Sequence, residues 1–339
     1  MNVGKSKVAF VALAFGALAL WPLVAGSFGI DLVTKIMVFA VFALSLELLV
    51  GKTGLVCFGQ AAFFGIGAYA TLLLSPEFEP ASVLWLLPAC MLAAAAYALV
   101  VGALSLRTKG VYFIMVTLAF AQMAYYVVHD TPLGGGTDGI YLNAKPVVGT
   151  LFALDKPLAM YAFTLGCLVA AFAFLSLLGR SRFGHALAGI KANEQRMRST
   201  GFSTYPYKLA AFTISGAIAG LAGFLFAVKD GFVNPELLSW HFSGSVLIMI
   251  ILGGLGHLRG AVIGAFAFVL LQEFFQSEAL FGALAKHWLL GLGLTIIASV
   301  ALLPRGLVGL PGQWRDWHAA RERHTAGAQH AGPSAGDAL

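Results

Sequence analysis

Apolar residues are arranged along the chain in long runs, eight of which contain no charged residue. Each of these eight runs is 18 to 26 residues long, which matches the roughly 20 residues that an α-helix needs to cross a bilayer. Two further runs, 32–50 and 260–277, each contain an internal carboxylate, Glu47 and Glu273. The pattern therefore predicts an all-α polytopic membrane protein with about ten transmembrane helices. The uncharged runs are 8–26, 53–74, 81–106, 110–128, 157–179, 209–228, 237–256 and 287–304.

The composition agrees with this interpretation. Of the 339 residues, 59% are apolar and 11% are charged, whereas a soluble domain has roughly 25% charged residues. The mean hydropathy is +0.86. These values exclude an ordinary cytosolic enzyme, a disordered chain and a small secreted domain. The first run, 8–26, is longer than the apolar part of a secretory signal, so we expect a retained membrane helix there.

The distribution of positive charge predicts the orientation. If both termini are cytoplasmic, 16 of the 21 Lys and Arg residues lie in cytoplasmic segments, as expected from the enrichment of basic residues on that side of membrane proteins. This topology accounts for the net charge of +6. The positive charge therefore does not indicate nucleic-acid binding, and the sequence has no motif that combines basic and aromatic residues in the way nucleic-acid-binding proteins do.

Loops and tail complete the predicted domain organisation. Residues 1–310 form a transmembrane domain with a turn-rich external loop at 129–157 and a strongly basic cytoplasmic loop at 180–208. Within the basic loop, a narrow apolar stripe over 185–200 predicts one or two short helices at the membrane surface. Residues 311–339 are polar and rich in Ala, Gly and His, which predicts a disordered cytoplasmic tail.

Two glycine-rich stretches, 51–68 and 252–264, interrupt the apolar pattern in opposite halves of the chain. Glycine-interrupted spans are typical of broken helices that line a transport pathway. The alternative is that these glycines serve only close helix packing. The resulting candidates for the translocation pathway are Glu47, Gly59, Gln60, Gly65, Gly253 and Gly254.

The two carboxylates inside apolar runs are candidates for function because burial of an unpaired charge is costly. For Glu47 a pathway role and a structural hydrogen bond are both open. Glu273 lies closer to the interface, where its side chain can reach water. No intramembrane Lys, Arg or His partner is evident for either residue.

Sequence motifs for catalysis or cofactor binding are absent. The chain contains no GxSxG, HExxH or CxxC motif, so we assign no catalytic, cofactor-binding or metal site. The cysteines at 57, 90 and 167 stand singly and predict neither a disulfide framework nor a zinc site. Gly51-Lys52-Thr53 resembles the end of a phosphate-binding loop, but Leu46 stands where that motif needs glycine. Any ATP dependence must therefore come from another subunit.

Five runs, in family order, resemble the permeases of branched-chain amino-acid ABC importers of the LivM type. They include LSLELLVGKTGLVCFGQAAFFGIGAYA and GGTDGI, and they occupy 44–70, 107–123, 135–140, 181–236 and 251–266. The resemblance implies an integral subunit of the bacterial inner membrane that pairs with a second homologous permease. It also implies two cytoplasmic ATP-binding subunits and a periplasmic substrate-binding protein as partners, with membrane lipid around the spans.

In this family the basic loop contains the coupling helix that docks on the ATPase. Here Gly201 matches the glycine of the Glu-Ala-Ala-x-x-x-Gly pattern common in that loop, but the small pair is replaced by Arg196-Met197. A solvated loop that only sets orientation is the alternative. The resemblance implies that the ATPase-coupling residues are Arg180, Arg182, Ile190, Lys191, Glu194, Arg196, Met197, Arg198 and Gly201, with Ala188 beside them.

Two departures from the family leave the substrate open. Glu47 stands where most members have Asn or Asp, and Lys52 stands where they have an aromatic residue. The substrate is expected to be a branched-chain or other neutral amino acid, with urea or an amide, a small carboxylate, and a sugar or nucleoside as the rival substrate classes. Outside ATP-driven import, an ion-coupled carrier that works alone is also open. An intramembrane enzyme has the least support, because no pair of nucleophile and base is evident.

Overall fold

The chain folds as a bundle of membrane-length helices with almost no sheet. The computed structural model describes residues 14–76, 79–148, 152–277, 282–303 and 306–309. The predicted tail 311–339 and the beginning of the first apolar run lie outside the described residues. The helices are α1 Ala14–Leu23, α2 Ser27–Glu47, α3 Gln60–Leu74, α4 Val83–Ser105, α5 Val111–Asp130, α6 Pro157–Arg180, α7 Arg182–Ala192, α8 Glu194–Ser199, α9 Thr204–Asp230, α10 Trp240–Gly253, α11 Leu258–Gln276 and α12 Trp288–Leu302.

Seven of the described helices are long and apolar enough to cross a membrane. They are α2 with the turn that follows it, α4, α5, α6, α9, α11 and the segment that begins with α12. Three shorter apolar helices are α1, α3 and α10. The all-α, multi-span fold is therefore confirmed, whereas the number of about ten crossings stays a prediction.

The shortness of α3 has a local cause. The helix α2 continues as a π-helical turn, Leu48–Thr53, and ends at Gly54, whose φ of 73° lies in the left-handed region. Glycine adopts this conformation without steric cost and commonly ends helices. Residues 54–59 then run without helix, and α3 begins only at Gln60. The predicted run 53–74 is thus helical over its last 15 residues.

The centre of the bundle consists of α2, α3 and α9. Nearly all of α2 and most of α9 are buried inside the protein, whereas α4, α5, α6 and α12 present apolar side chains outward. Outward-facing apolar residues are stable in a bilayer, because lipid is as apolar as the helix surface. Phenylalanines fill the space between the central helices, with Phe42 and Phe64 4.7 Å apart between ring centroids.

Glycines bring α3 and α9 into backbone contact. A Cβ added to Gly67 would lie 2.8 Å from the carbonyl carbon of Gly220. A Cβ added to Gly223 would lie 2.8 Å from the amide nitrogen of Ala68 and still closer to the carbonyl oxygen of Phe64. Small residues at such crossings allow close helix packing, which drives helix association in membranes.

Short strands order the loop that follows α5. Strand β1, Ile140–Tyr141, pairs antiparallel with β4, Phe232–Val233, which follows α9. Strands β2, Val147–Val148, and β3, Phe152–Ala153, pair with each other. The predicted external loop is therefore tied to the connection between α9 and α10.

Candidate functional site

The two glycine-rich stretches meet at Glu47. This side chain is only 2% exposed, at the end of α2. Its carboxylate lies against Gly51, where an added Cβ would be 2.7 Å from the carboxyl carbon, and beside the backbone of Gly256 and His257. The carboxylate oxygen Oε2 makes no hydrogen bond with any residue that the structure describes. The glycines thus create room for a buried carboxylate.

Two positively charged side chains, Lys191 and Lys52, lie near enough to interact electrostatically with this carboxylate. Lys191 extends from α7 and its Nζ donates to the carbonyl oxygens of Gly51 at 2.9 Å and Val50 at 3.4 Å. These carbonyls belong to the last turn of the α2 extension, where a positive charge is stabilised by the negative end of the helix dipole. The predicted coupling loop therefore contacts the predicted pathway directly.

Gln60 is bonded to serines rather than to Glu47. Its Nε2 donates to Ser45 Oγ at 2.8 Å and to Ser215 Oγ at 3.0 Å, and all three residues are buried. Ser243 Oγ accepts from the backbone amide of Ala61 at 3.0 Å. The network joins α2, α3, α9 and α10, while Gln60 Oε1 has no hydrogen-bond partner among the described residues.

The other glycine candidates lie at close contacts. An added Cβ would be 2.9 Å from the Thr117 carbonyl oxygen at Gly59, and 2.5 Å from a methyl carbon of Leu238 at Gly65. At Gly253 it would be 2.5 Å from the carbonyl carbon of Gly260. Gly254 has a φ of 113°. These contacts correspond to the packing role that the sequence left as the alternative.

The basic loop contains the two short helices α7 and α8. Ile190 is 4% exposed and packs against the protein itself, so its side chain is not presented to a partner, in contrast to the sequence-based expectation. Arg180, Arg182 and Arg196 are exposed. Met197 is half-buried beside Gly189, and Gly201, with a φ of 84°, follows α8.

Glu194 is held by the protein's own groups. Its Oε1 accepts from Arg198 at 2.6 Å, Lys208 at 2.8 Å and Thr204 at 3.0 Å. Partial burial alone would raise the pKa of this carboxyl, but the Lys208 and Thr204 hydrogen bonds, the Lys208 charge and Arg198 together lower the pKa to about 2. Glu194 thus fastens α8 to α9.

Glu273 has a partner that sequence reasoning missed. Lys35 Nζ lies 3.2 Å from Glu273 Oε1, and both side chains are about one-third exposed. A lysine within the apolar run 32–50 was the available signal. Lys229, at the end of α9, likewise pairs with Asp31, which lies near the start of α2, and with the adjacent Asp230.

Two of the cavities among the described residues are lined in part by α10. One of about 390 Å³ lies beside the start of α10, with Phe226, Phe242, Asp230, Glu236, Asn234 and His241 in its walls. The other, of about 410 Å³, lies beside Gly254 and His257. The described residues contain no group of three or more His, Cys, Asp or Glu side chains that could hold a metal ion.

Comparison with known proteins shows one consistent similarity. Residues 28–300 match the family described as branched-chain amino acid transport system / permease component. The chain is 31% identical over 330 residues to the high-affinity branched-chain amino acid transport system permease protein LivM of Escherichia coli strain K12, covering 90% of this chain and 75% of that protein. The LivM protein of Salmonella typhimurium is 30% identical over the same shares of both chains. The autoinducer 2 import system permease protein LsrC of Escherichia coli strain K12 / DH10B is 29% identical over 54% of this chain and 46% of its own. No solved structure matches.

Proposed function

We propose a function from one premise: the chain belongs to the family of permease components of branched-chain amino acid transport systems. It is the membrane-spanning subunit of an ATP-driven importer for branched-chain or other neutral amino acids. A second homologous permease completes the pathway, two cytoplasmic ATP-binding subunits supply energy, and a periplasmic binding protein delivers substrate. The observation that carries the proposal is the family match over residues 28–300, which includes both glycine-rich stretches.

The exposed arginines of the basic loop form the ATPase contact in this proposal. Arg180 ends α6, Arg182 begins α7 and Arg196 lies within α8, and all three side chains are exposed. Surface charges of this kind provide orientation and fast association with an acidic partner surface. Glu194 transmits force to α9 through Lys208, whose side chain is only 7% exposed. Movement of the loop thereby reaches the central helices.

Glu47 and Gln60 are the polar groups that the pathway offers to substrate. Both side chains are buried, and each has one oxygen without a hydrogen bond to any described residue. An ammonium group supplies donors for such oxygens, and a carboxylate stabilises its charge. A branched-chain or other neutral amino acid carries such an ammonium group.

The proposed location is the bacterial inner membrane with both termini cytoplasmic. The concentration of Lys and Arg in the segments assigned to the cytoplasm supports this orientation. The basic loop then lies on the side where ATP is available, and the loop that contains β1 lies on the side from which substrate arrives.

Reconstitution with the three kinds of partner tests the proposal. Uptake of leucine into proteoliposomes should require ATP, and urea and acetate in the same assay test the rival substrate classes. A triple variant should still hydrolyse ATP but should no longer couple that hydrolysis to leucine uptake. Its substitutions are Arg180→Glu, Arg182→Glu and Arg196→Glu. Lys145→Glu, in the loop assigned to the opposite side, serves as control. Uptake by the isolated chain under an ion gradient, or unchanged coupling after the three reversals, would refute the proposal.

A further inference from the structure

A lysine of the basic loop bonds the turn Leu48–Thr53 that extends α2. After Gly54 the chain leaves the helix, and the amides of Gly54 and Leu55 both donate to the carbonyl of Leu49. The last carbonyls of the turn therefore lack amide donors further along the helix, as at any helix end. Lys191 Nζ supplies the donor for Gly51 and for Val50.

The contact includes the stem of the lysine as well as its charge. The Lys191 Cγ atom would be 3.3 Å from a Cβ added to Gly54, so the aliphatic stem packs over the left-handed residue that ends the turn. On the other side of the same turn, Gly51 packs against the Glu47 carboxylate. Lys191, Gly51 and Glu47 form a continuous contact from the membrane surface to the buried interior.

The helix that carries Lys191 is itself firmly seated. Leu187 and Ile190 are buried on one face of α7, and Gly184 packs closely against the end of α6. A displacement of α7 must therefore move the Lys191 ammonium relative to the carbonyls it bonds.

We infer that Lys191 is a positioning residue that holds the end of α2 and the adjoining segment 54–59 in the conformation seen here, and that displacement of α7 by a partner releases them. With the ammonium removed, the Gly51 and Val50 carbonyls lose their donor and Glu47 loses a neighbouring cation. The turn 48–53 then opens about Gly54. This inference rests on the proposed function only for the identity of the partner, the ATP-binding subunit.

A native cysteine reports on this opening in the chain alone. Cys57 lies in the segment after Gly54 and is 1% exposed. In a variant with Cys90→Ser and Cys167→Ser, Cys57 is the remaining thiol. Lys191→Met should raise the rate of Cys57 labelling by a maleimide roughly tenfold, which corresponds to about 1.4 kcal/mol, the loss of one charged hydrogen bond. Lys191→Arg keeps the charge and should label slowly.

Lys109→Met is the matched control, because Lys109 is exposed, lies on the same predicted membrane face and forms no ion pair within the described residues. It should label at the rate of the parent. Equal labelling of the Lys191→Met variant and its parent would overturn the inference, as would equal acceleration by Lys109→Met.

Labelling of Cys57 in the complete importer tests whether Lys191 couples the ATP-binding subunit to the turn 48–53 or only supports the fold. In the parent complex, a non-hydrolysable ATP analogue should change the Cys57 labelling rate, and in the Lys191→Met complex the rate should be high with or without it. A nucleotide response that survives Lys191→Met would show a purely structural lysine and overturn the coupling role. Absence of ATP-driven uptake by the parent would refute the proposed function and leave the result on the isolated chain intact.

Discussion

Substitution of Gly51 by alanine should destabilise the protein specifically through Glu47. The new Cβ would lie 2.7 Å from the Glu47 carboxyl carbon and nearer still to Oε1, whereas ordinary contacts begin at 3.4 Å. The carboxylate has little space to retreat, because the Gly256 backbone lies beside it and the side chain is 2% exposed.

The size of the effect follows from the cost of overpacking a buried site. Such substitutions cost about 1–3 kcal/mol. In a chain of this length each kcal/mol corresponds to roughly 2 °C in the unfolding temperature, so overpacking alone would lower it by about 2–6 °C. The higher helix propensity of alanine offsets about 1 kcal/mol of this cost. The net loss is therefore about 0–2 kcal/mol, and Gly51→Ala should lower the unfolding temperature by about 0–4 °C.

A double-mutant cycle identifies the cause. Glu47→Ala removes the atoms that clash, so adding Gly51→Ala to that variant should cost nothing, giving an interaction energy of about 1–3 kcal/mol. Glu47→Gln has nearly the same shape as the native side chain and should give no rescue. Thermal unfolding of the purified parent, the three variants of the cycle and the glutamine control in one detergent, followed by tryptophan fluorescence, measures these differences. Equal losses from Gly51→Ala in the parent and in Glu47→Ala would refute the structural reasoning.

Three further predictions concern packing, pH and orientation. Gly223→Ala should lower the unfolding temperature by about 2–6 °C because its Cβ meets the α3 backbone, whereas Gly166→Ala, with nothing within 4 Å, should not lower it. The pKa of Glu194 is lowered to about 2 from 4.5, so the ionised carboxylate stabilises the fold, fully above pH 4.5 and progressively less as the pH falls toward 2. The stability difference between the parent and Glu194→Gln should therefore be largest at neutral pH and decrease between pH 4.5 and pH 3, and a constant difference would contradict the assigned pKa. Asp138→Cys should react with an impermeant maleimide on intact cells and Arg196→Cys only after permeabilisation, and labelling of both from outside would contradict the orientation.

Features encoded by local pattern were predictable from sequence. Long uncharged runs predicted the spans, and a carboxylate within such a run singled out Glu47. The short helices of the basic loop followed from the apolar stripe, and α7 and α8 lie where it predicted them. Each of these inferences uses residues that are neighbours along the chain.

Partners that are distant in sequence could not be assigned in this way. Lys35 and Glu273 are separated by 238 positions, and the bonds from Gln60 to Ser45 and Ser215 join three different helices. An apolar stripe on a helix likewise does not reveal which surface covers it. Ile190 was therefore expected at an interface with a partner, whereas it is buried inside the protein. Hydropathy also does not distinguish helix from the apolar non-helical segment 54–59.

The crossing of α3 and α9 restricts which movements of the bundle are possible. Gly223 fits against the Phe64 carbonyl only because it has no side chain. If α9 advanced by one residue along its own helical path, a rise of about 1.5 Å with a rotation of about 100°, Ala222 or Phe224 would come to that position. Their Cβ atoms would then collide with the α3 backbone. The two helices therefore stay in axial register and travel as one solid piece. Any rearrangement that opens a passage has to occur at the borders of this piece, where side chains rather than main chains are in contact.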